Sequence, residues 1–91
     1  MTISPAVPPA RLDDVVRHEW AHVLQVRAYG GDVPRLRAEL AEVFGGDGAL
    51  PLERAADCMA RRLGAGWTHY TRCTDPVWQA AAARLLAGAP A

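Results

Sequence analysis

The segment RHEWAHVLQ, residues 17–25, places His18 and His22 four positions apart, with Glu19 directly after the first histidine. On an α-helix this spacing puts both imidazoles on one face, one turn apart, where they can bind the same metal ion. Glu19 is rotated by about 100° from His18, so its carboxylate misses the ion but can reach a water molecule bound there. The pattern predicts a zinc site with Glu19 as general base. The alternative is two surface histidines beside an unrelated carboxylate, because five-residue motifs also occur by chance.

A second pair of residues could complete such a site. The segment LERAADCMA, residues 52–60, places Glu53 and Asp57 four positions apart on one face of a predicted helix. Glu53 can bind zinc through a carboxylate oxygen, and Asp57 can accept the free ring N–H of a ligating histidine and fix its tautomer. The simpler alternative is that Glu53 pairs with an exposed arginine and Asp57 is solvated. Two matching pairs favour one zinc ion held by His18, His22 and Glu53.

The H-E-x-x-H motif followed by E-x-x-x-D resembles the gluzincin branch of zinc metallopeptidases. The blocks HEWAHVLQ and LERAADC are most similar to the bacterial neutral zinc metallopeptidase family, including the glutamine three places after the second histidine, Gln25. The resemblance implies the same three zinc ligands, the same general base, and Asp57 as the outer partner of His18. It covers these two short blocks of the chain.

The resemblance also implies a β-sheet before the active-site helix, whose edge strand would pair with an extended substrate. The residues before His18 comprise a proline-rich lead, residues 1–10, and the start of the helix itself, so no edge strand is predicted. The chain therefore resembles a minimal or N-terminally truncated member of the family. Residue 52 is leucine, so we expect a polar partner for His22 to come from elsewhere.

The charges of the predicted site indicate its chemistry. Two neutral imidazoles and one carboxylate leave a zinc ion with one net positive charge and an open position for water, whose pKa falls from about 15.7 toward about 7. Glu19 would take a proton from this water and pass it to the leaving amine of a peptide. His69 and Tyr70, in the segment WTHYT, are candidate oxyanion donors. The alternative is that both are loop residues with their polar ends in water.

The apolar pattern predicts an all-α fold, a compact bundle of about four helices that carries the H-E-x-x-H helix and the glutamate-ligand helix. Thr74 is the predicted cap of the last helix, with Pro76 near its first position. The expected helices run from about Arg11 to Tyr29, from Asp32 to the pair Gly45–Gly46, from Pro51 to Arg62 or Leu63, and onward from Thr74. The residues expected to face inward are Leu12, Val15, Val16, Val23 and Val26, then Leu36, Leu40, Val43 and Phe44, then Leu52, Ala56, Met59 and Leu63, then Trp78, Ala82 and Leu85.

Composition limits the class of protein. A chain of 91 residues, 51% hydrophobic and 22% charged, is expected to form one globular domain over residues 1–91. Its ten basic residues, all arginines, balance ten acidic ones, so no net charge attracts nucleic acid or an anionic membrane. No apolar run is long enough for a membrane span. The N-terminus is not a signal peptide as written, which favours the cytoplasm unless the N-terminus is incomplete.

The two cysteines, Cys58 and Cys73, could form a disulfide. The bridge would close a loop of about 15 residues, worth about 3 kcal/mol if it acts by restricting the unfolded chain. The alternatives are two buried free thiols, or one cysteine replacing Glu53 on the metal. A disulfide implies an oxidising compartment, which conflicts with the N-terminus as written unless an export segment is missing.

Three functions are compatible with these features. The leading one is a zinc-dependent metallopeptidase that hydrolyses peptide bonds in a peptide or protein substrate. The second is a non-catalytic helical protein with structural zinc, although structural sites usually have four protein ligands and only three are visible. The third is an inactive remnant that acts as an interaction module. The oligomeric state and the cleavage specificity do not follow from the residues.

Overall fold

The computed structural model describes residues 12–91, and the proline-rich lead predicted over residues 1–10 lies outside this range. The described residues form four α-helices and no β-strand, which confirms the all-α prediction. The bounds lie within a few residues of those predicted. The helices are α1, Leu12–Ala28; α2, Val33–Phe44; α3, Leu50–Arg62; and α4, Pro76–Leu86.

The helix ends follow local chemistry, with one correction. The Asp32 side chain accepts a hydrogen bond from the Arg35 backbone N–H, so Asp32, where the second helix was expected to begin, caps α2. The predicted cap of α4, Thr74, is wrong: the Asp75 side chain accepts from the Val77 backbone N–H. Asp75 directly precedes the first helical residue, so its carboxylate reaches an unpaired N–H that Thr74, one position earlier, does not serve.

Every pair of helices is in contact, and the three most extensive contacts are those of α3 with α1, α4 and α2, so α3 is the centre of the bundle. Six consecutive residues of α3, Ala55–Ala60, are buried, which a helix covered on one side only could not achieve. The other helices supply the larger side chains around it. The fully buried apolar ones are Leu36, Leu40 and Phe44 of α2 and Leu85 of α4, which join Met59 of α3 itself.

The face that α1 turns inward differs from the predicted one. Val16, Val23 and Val26 are 37–42% exposed, and the buried positions are instead Ala21, Gln25, Ala28 and Tyr29. The two sets differ by about half a turn of the helix. Two of these buried α1 residues are alanines, and the contact of α1 with α3 places the α1 histidines within reach of the α3 carboxylates. Leu63, also predicted to face inward, is exposed as well.

None of the helices in the described range has the length and the apolar character needed to cross a membrane.

Candidate metal site

His18 and His22 of α1 and Glu53 of α3 converge where the two helices cross. The His18 Nε2 atom lies 3.1 Å from Glu53 Oε2, the His22 Nε2 atom lies 2.6 Å from Glu53 Oε1, and the two Nε2 atoms are 3.2 Å apart. Ligand atoms bound tetrahedrally to one ion at about 2.0–2.1 Å lie roughly 3.3 Å from each other. The three side chains could therefore hold one metal ion with little movement.

Asp57 lies behind His18, on the side away from Glu53. Its Oδ1 atom is 2.5 Å from His18 Nδ1, and the Asp57 side chain is fully buried. An ionised carboxylate only accepts hydrogen bonds, so Nδ1 carries a proton, and in the neutral ring Nε2 keeps its lone pair. The predicted contact is thus present, while the contribution of Asp57 to metal binding stays a prediction.

Gln25 is the partner of His22 that the sequence analysis missed. Its Oε1 atom lies 3.3 Å from His22 Nδ1, and its Nε2 atom donates to the backbone carbonyl of Leu52, 3.0 Å away. A carbonyl oxygen only accepts, so the amide nitrogen must face Leu52 and the amide oxygen must face His22. Residue 52 therefore contributes through its backbone. The signal was available, because positions 22 and 25 are neighbours on one helix face.

These two partners leave both imidazoles with an Nε2 lone pair aimed at the same carboxylate. Two lone pairs and a carboxylate in contact repel each other unless a positive charge lies among them. Burial of the His18 ring lowers its pKa, but the hydrogen bonds and charges of Asp57 and Glu53 outweigh burial and raise the pKa overall. The cluster thus favours a cation, either a proton on His18 or a metal ion in its place.

The loop between α3 and α4 passes over this cluster. Its backbone is held by one carboxylate of α3 and one of α1. The second oxygen of Asp57, Oδ2, accepts from the backbone N–H groups of Tyr70 and of Thr71, the latter at 3.0 Å. Asp14 of α1 accepts from the backbone N–H of Trp67, also at 3.0 Å. A single buried carboxylate, Asp57, therefore orients His18 and the loop at the same time.

Tyr70 is the loop residue that reaches the site. Its ring stacks on the His18 ring, with 5.9 Å between centroids and 26° between planes. Burial, then the charge and hydrogen bond of Glu53, then the charges of Asp57 and Glu19 all raise the pKa of Tyr70. The hydroxyl therefore keeps its proton beside Glu53 and can donate it to a negatively charged atom.

His69 and Glu19, the two remaining residues of the predicted site, differ in what they contact. The His69 ring contacts the Trp67 and Tyr70 rings, and within residues 12–91 it makes no ring contact or hydrogen bond with the three ligands. Its role as a donor stays a prediction that no contact supports. The half-buried Glu19 carboxylate acts on the Tyr70 hydroxyl through its charge and forms no hydrogen bond or ion pair with another described residue.

Cys58 and Cys73 form the disulfide predicted as one of three alternatives. No free cysteine remains among the described residues, so the free-thiol and metal-ligand alternatives are wrong. The bridge joins the residue after Asp57 to the end of the loop that carries Tyr70. It thereby fastens that loop to the helix that supplies Glu53.

Comparison with protein-family models, with curated proteins and with solved structures gave no match. The resemblance to zinc metallopeptidases stays a prediction that rests on the two blocks that contain the site.

Proposed function

We propose that this protein is a zinc-dependent hydrolase of peptide bonds, with His18, His22 and Glu53 as ligands and Glu19 as general base. The observation that carries the proposal is the closeness of the three ligand atoms. The two Nε2 atoms are 3.2 Å apart, and each lies within 3.1 Å of a Glu53 oxygen. Both Nδ1 atoms are bound to acceptors, which supports ligation through Nε2.

The donor set supports zinc over other common ions. Two imidazole nitrogens and one carboxylate oxygen are typical of catalytic zinc sites, which keep one position open. Calcium and magnesium prefer six or more oxygen ligands, and copper(I) and iron–sulfur clusters prefer thiolates. The cysteines are committed to the disulfide and supply none.

The chain's own residues account for the proton transfers of peptide hydrolysis. Bound zinc would supply a nucleophile at neutral pH and polarise a carbonyl oxygen. Glu19 takes the proton released by the attacking water and delivers it to the leaving amine. The protonated Tyr70 hydroxyl donates a hydrogen bond to the oxygen on which negative charge develops.

The surface beside Glu19 supports a peptide as substrate. Val23 and Val26 lie one and two turns after Glu19 on the same side of α1, and both are exposed. They offer an apolar surface next to the general base that can contact the side chains of an extended peptide. The described residues contain no edge strand, so side-chain contacts of this kind would have to position the substrate.

One observation favours the second candidate, a structural zinc site without catalysis. The Tyr70 ring stacks on His18, and Glu53 acts on the Tyr70 hydroxyl and raises its pKa, so this hydroxyl could close the remaining coordination position. Structural zinc sites have four closed ligands, whereas catalytic ones leave a position for water.

The two candidates are separated by measuring zinc and cleavage in the same samples. The zinc content of wild type, Glu19→Gln and Glu53→Gln is determined by elemental analysis, and cleavage of an unstructured protein by mass spectrometry. Glu42→Gln, an exposed glutamate of α2, is the matched control. The peptidase proposal expects one zinc per chain in all but Glu53→Gln, and cleavage by wild type and Glu42→Gln only.

The other outcomes are equally decisive. Zinc in wild type and Glu19→Gln with cleavage in neither supports the structural site. Cleavage that persists in Glu19→Gln removes Glu19 as general base. A wild-type protein that takes up no zinc rules out both candidates.

A further inference from the structure

A cleft of about 310 Å³ opens beside the disulfide and is unrelated to the three ligands. It is lined by Cys58, Cys73, Arg61, Arg62 and Gln79. The lining includes two arginines and no acidic residue, so the charge next to an anion in the cleft is positive, although the Arg61 guanidinium also donates to Thr68 Oγ1 and to the Gly66 carbonyl. Both cysteines line the cleft, and Cys73, which keeps 6% of its surface exposed, is less buried than Cys58, which is completely buried.

The disulfide holds a backbone conformation that residues with a side chain rarely adopt. Cys73 has φ 56°, the one positive value at a non-glycine position in the described range. A Cβ atom makes this left-handed conformation unfavourable, so it persists only where contacts enforce it. The enforcing contacts are the bond to Cys58, a hydrogen bond from the Cys73 N–H to Thr71, and one from the Gln79 side chain to the Cys73 carbonyl.

The three residues that precede Cys73 connect it to the candidate metal site. Tyr70 stacks on His18, and the Tyr70 and Thr71 backbone N–H groups donate to the same carboxylate that holds His18 Nδ1. If Cys73 moves away from α3, these N–H groups move with it. Asp57 would then be reached by water, and its hold on the His18 tautomer would weaken.

We propose that the Cys58–Cys73 bond is a redox switch for the metal site, opened by a small anionic thiol that binds in the arginine-lined cleft. The proposal rests on the zinc site proposed above but not on peptide cleavage. A thiolate from the cleft attacks Cys73 Sγ, the bond to Cys58 breaks, and Cys58 Sγ leaves as a thiolate that takes a proton from water. A second thiol molecule attacks the mixed disulfide on Cys73 and releases the Cys73 thiol. Two thiols are oxidised to one small disulfide, and the protein disulfide is reduced.

The access step is tested with two thiols that differ by one charge, mercaptoethanesulfonate and mercaptoethanol, compared at equal thiolate concentration. At each time point the reaction is quenched with acid and the small thiols are removed by gel filtration. The protein thiols are then counted with a chromogenic reagent in wild type, Arg62→Glu and Arg84→Glu. Arg84 is an exposed arginine of α4 that does not line the cleft, so it is the matched control. We expect the sulfonate to react about tenfold faster than the neutral thiol with wild type and Arg84→Glu, and the advantage to vanish in Arg62→Glu or at about 1 M salt. Equal rates for both thiols in wild type overturn the anionic specificity.

The switching step is tested by zinc affinity, measured by competition with a chelating dye after the small thiols are removed. We expect reduced wild type and the double variant Cys58→Ser, Cys73→Ser to bind zinc about 10- to 100-fold more weakly than oxidised wild type. Equal affinity in all three overturns the coupling between the disulfide and the site.

Amide hydrogen exchange distinguishes a local switch from global unfolding. In the reduced protein we expect lost protection at the Tyr70 and Thr71 amides and retained protection in the α2 core, Leu36–Phe44. Loss of protection in both regions overturns the switch, because the fold as a whole would then depend on the disulfide. If no form binds zinc, the proposed function fails, and the exchange at Tyr70 and Thr71 still decides whether reduction frees the loop.

Discussion

Helices α1 and α2 both pack against α3 but use opposite kinds of residues to do so. Helix α2 buries Leu36, Leu40 and Phe44 and leaves its polar residues in water. Helix α1 buries alanines and Gln25, and it leaves Val16 and Trp20 exposed. The difference indicates a division of roles: α2 stabilises the bundle by apolar burial, and the contact face of α1 carries the histidines of the candidate metal site and their partner Gln25.

The largest expected effect tests this division through stability. Leu40→Ala should lower the free energy of unfolding by about 3 kcal/mol, because it opens a cavity in the core. Val23→Ala on α1 removes fewer atoms from an exposed position and should change it by less than about 0.5 kcal/mol. Chemical denaturation of both variants measures the difference. A loss of similar size in both would mean that the outer face of α1 is covered in the protein, and the comparison would fail.

The second prediction concerns the buried polar partners on the α1–α3 contact. Asp57→Asn should weaken zinc binding about 10- to 100-fold, because an amide group would point a donor at the Tyr70 and Thr71 N–H groups or at His18. Gln25→Met should have a smaller effect, toward the lower end of that range, because the neutral amide lies farther from its histidine than Asp57 does. Competition titrations with a zinc dye measure both. Unchanged affinity in Asp57→Asn would remove that carboxylate from metal binding.

The third prediction is a pH dependence that reverses when metal is added. The pKa of His18 is raised in the folded, metal-free protein, so protonated His18 stabilises the fold. This contribution is fully present below the unfolded-chain pKa of about 6.5 and is lost as the pH rises through the folded value. With zinc bound the trend reverses, because the metal competes with the same proton and binds more tightly as the pH rises.

Thermal unfolding from about pH 5 to about pH 8.5, with a chelator and with excess zinc, measures the two trends. Parallel pH profiles in the two conditions would show that zinc does not replace the His18 proton.

The smallest expected effect sharpens the comparison at the exposed face of α1. Trp20→Ser should leave the free energy of unfolding within about 0.5 kcal/mol and zinc binding unchanged, because the Trp20 side chain is 45% exposed. Cleavage rates under subsaturating substrate would show whether the face binds peptide. A fall in rate without a change in zinc content would place the substrate on this surface, and an unchanged rate would limit the contact to the valines beside Glu19.

The fold was predictable where burial is driven by apolar side chains. The inward residues of α2 followed from their helical spacing, and the helix ends followed from glycine, proline and aspartate. The inward face of α1 was not predictable in this way. Its valines are more hydrophobic than the buried alanines, yet they lie on the exposed side of the helix. Hydrophobic periodicity assumes that the most apolar face is buried, and a helix that carries a site breaks this assumption.

The part of the site that was predictable is the part that depends on the spacing of residues within one helix. The pairs His18–His22 and Glu53–Asp57 each lie one helical turn apart, and the structure brings both pairs together. The contacts of the loop could not be predicted. Asp57 and Asp14 accept from backbone N–H groups, and almost every residue has such a group, so the sequence does not mark which ones donate. They depend on where the chain passes, which only the packed helices determine.

The three hydrogen bonds received by the Asp57 carboxylate have a consequence for which sequences the fold accepts. A replacement must be as short as aspartate, must offer two acceptor oxygens on opposite sides, and must present no donor of its own. Among the standard amino acids no other satisfies all three conditions, since glutamate is one methylene longer. In a saturation library screened for zinc retention, position 57 should admit a single residue, while exposed positions of α1 such as Val16 should admit many.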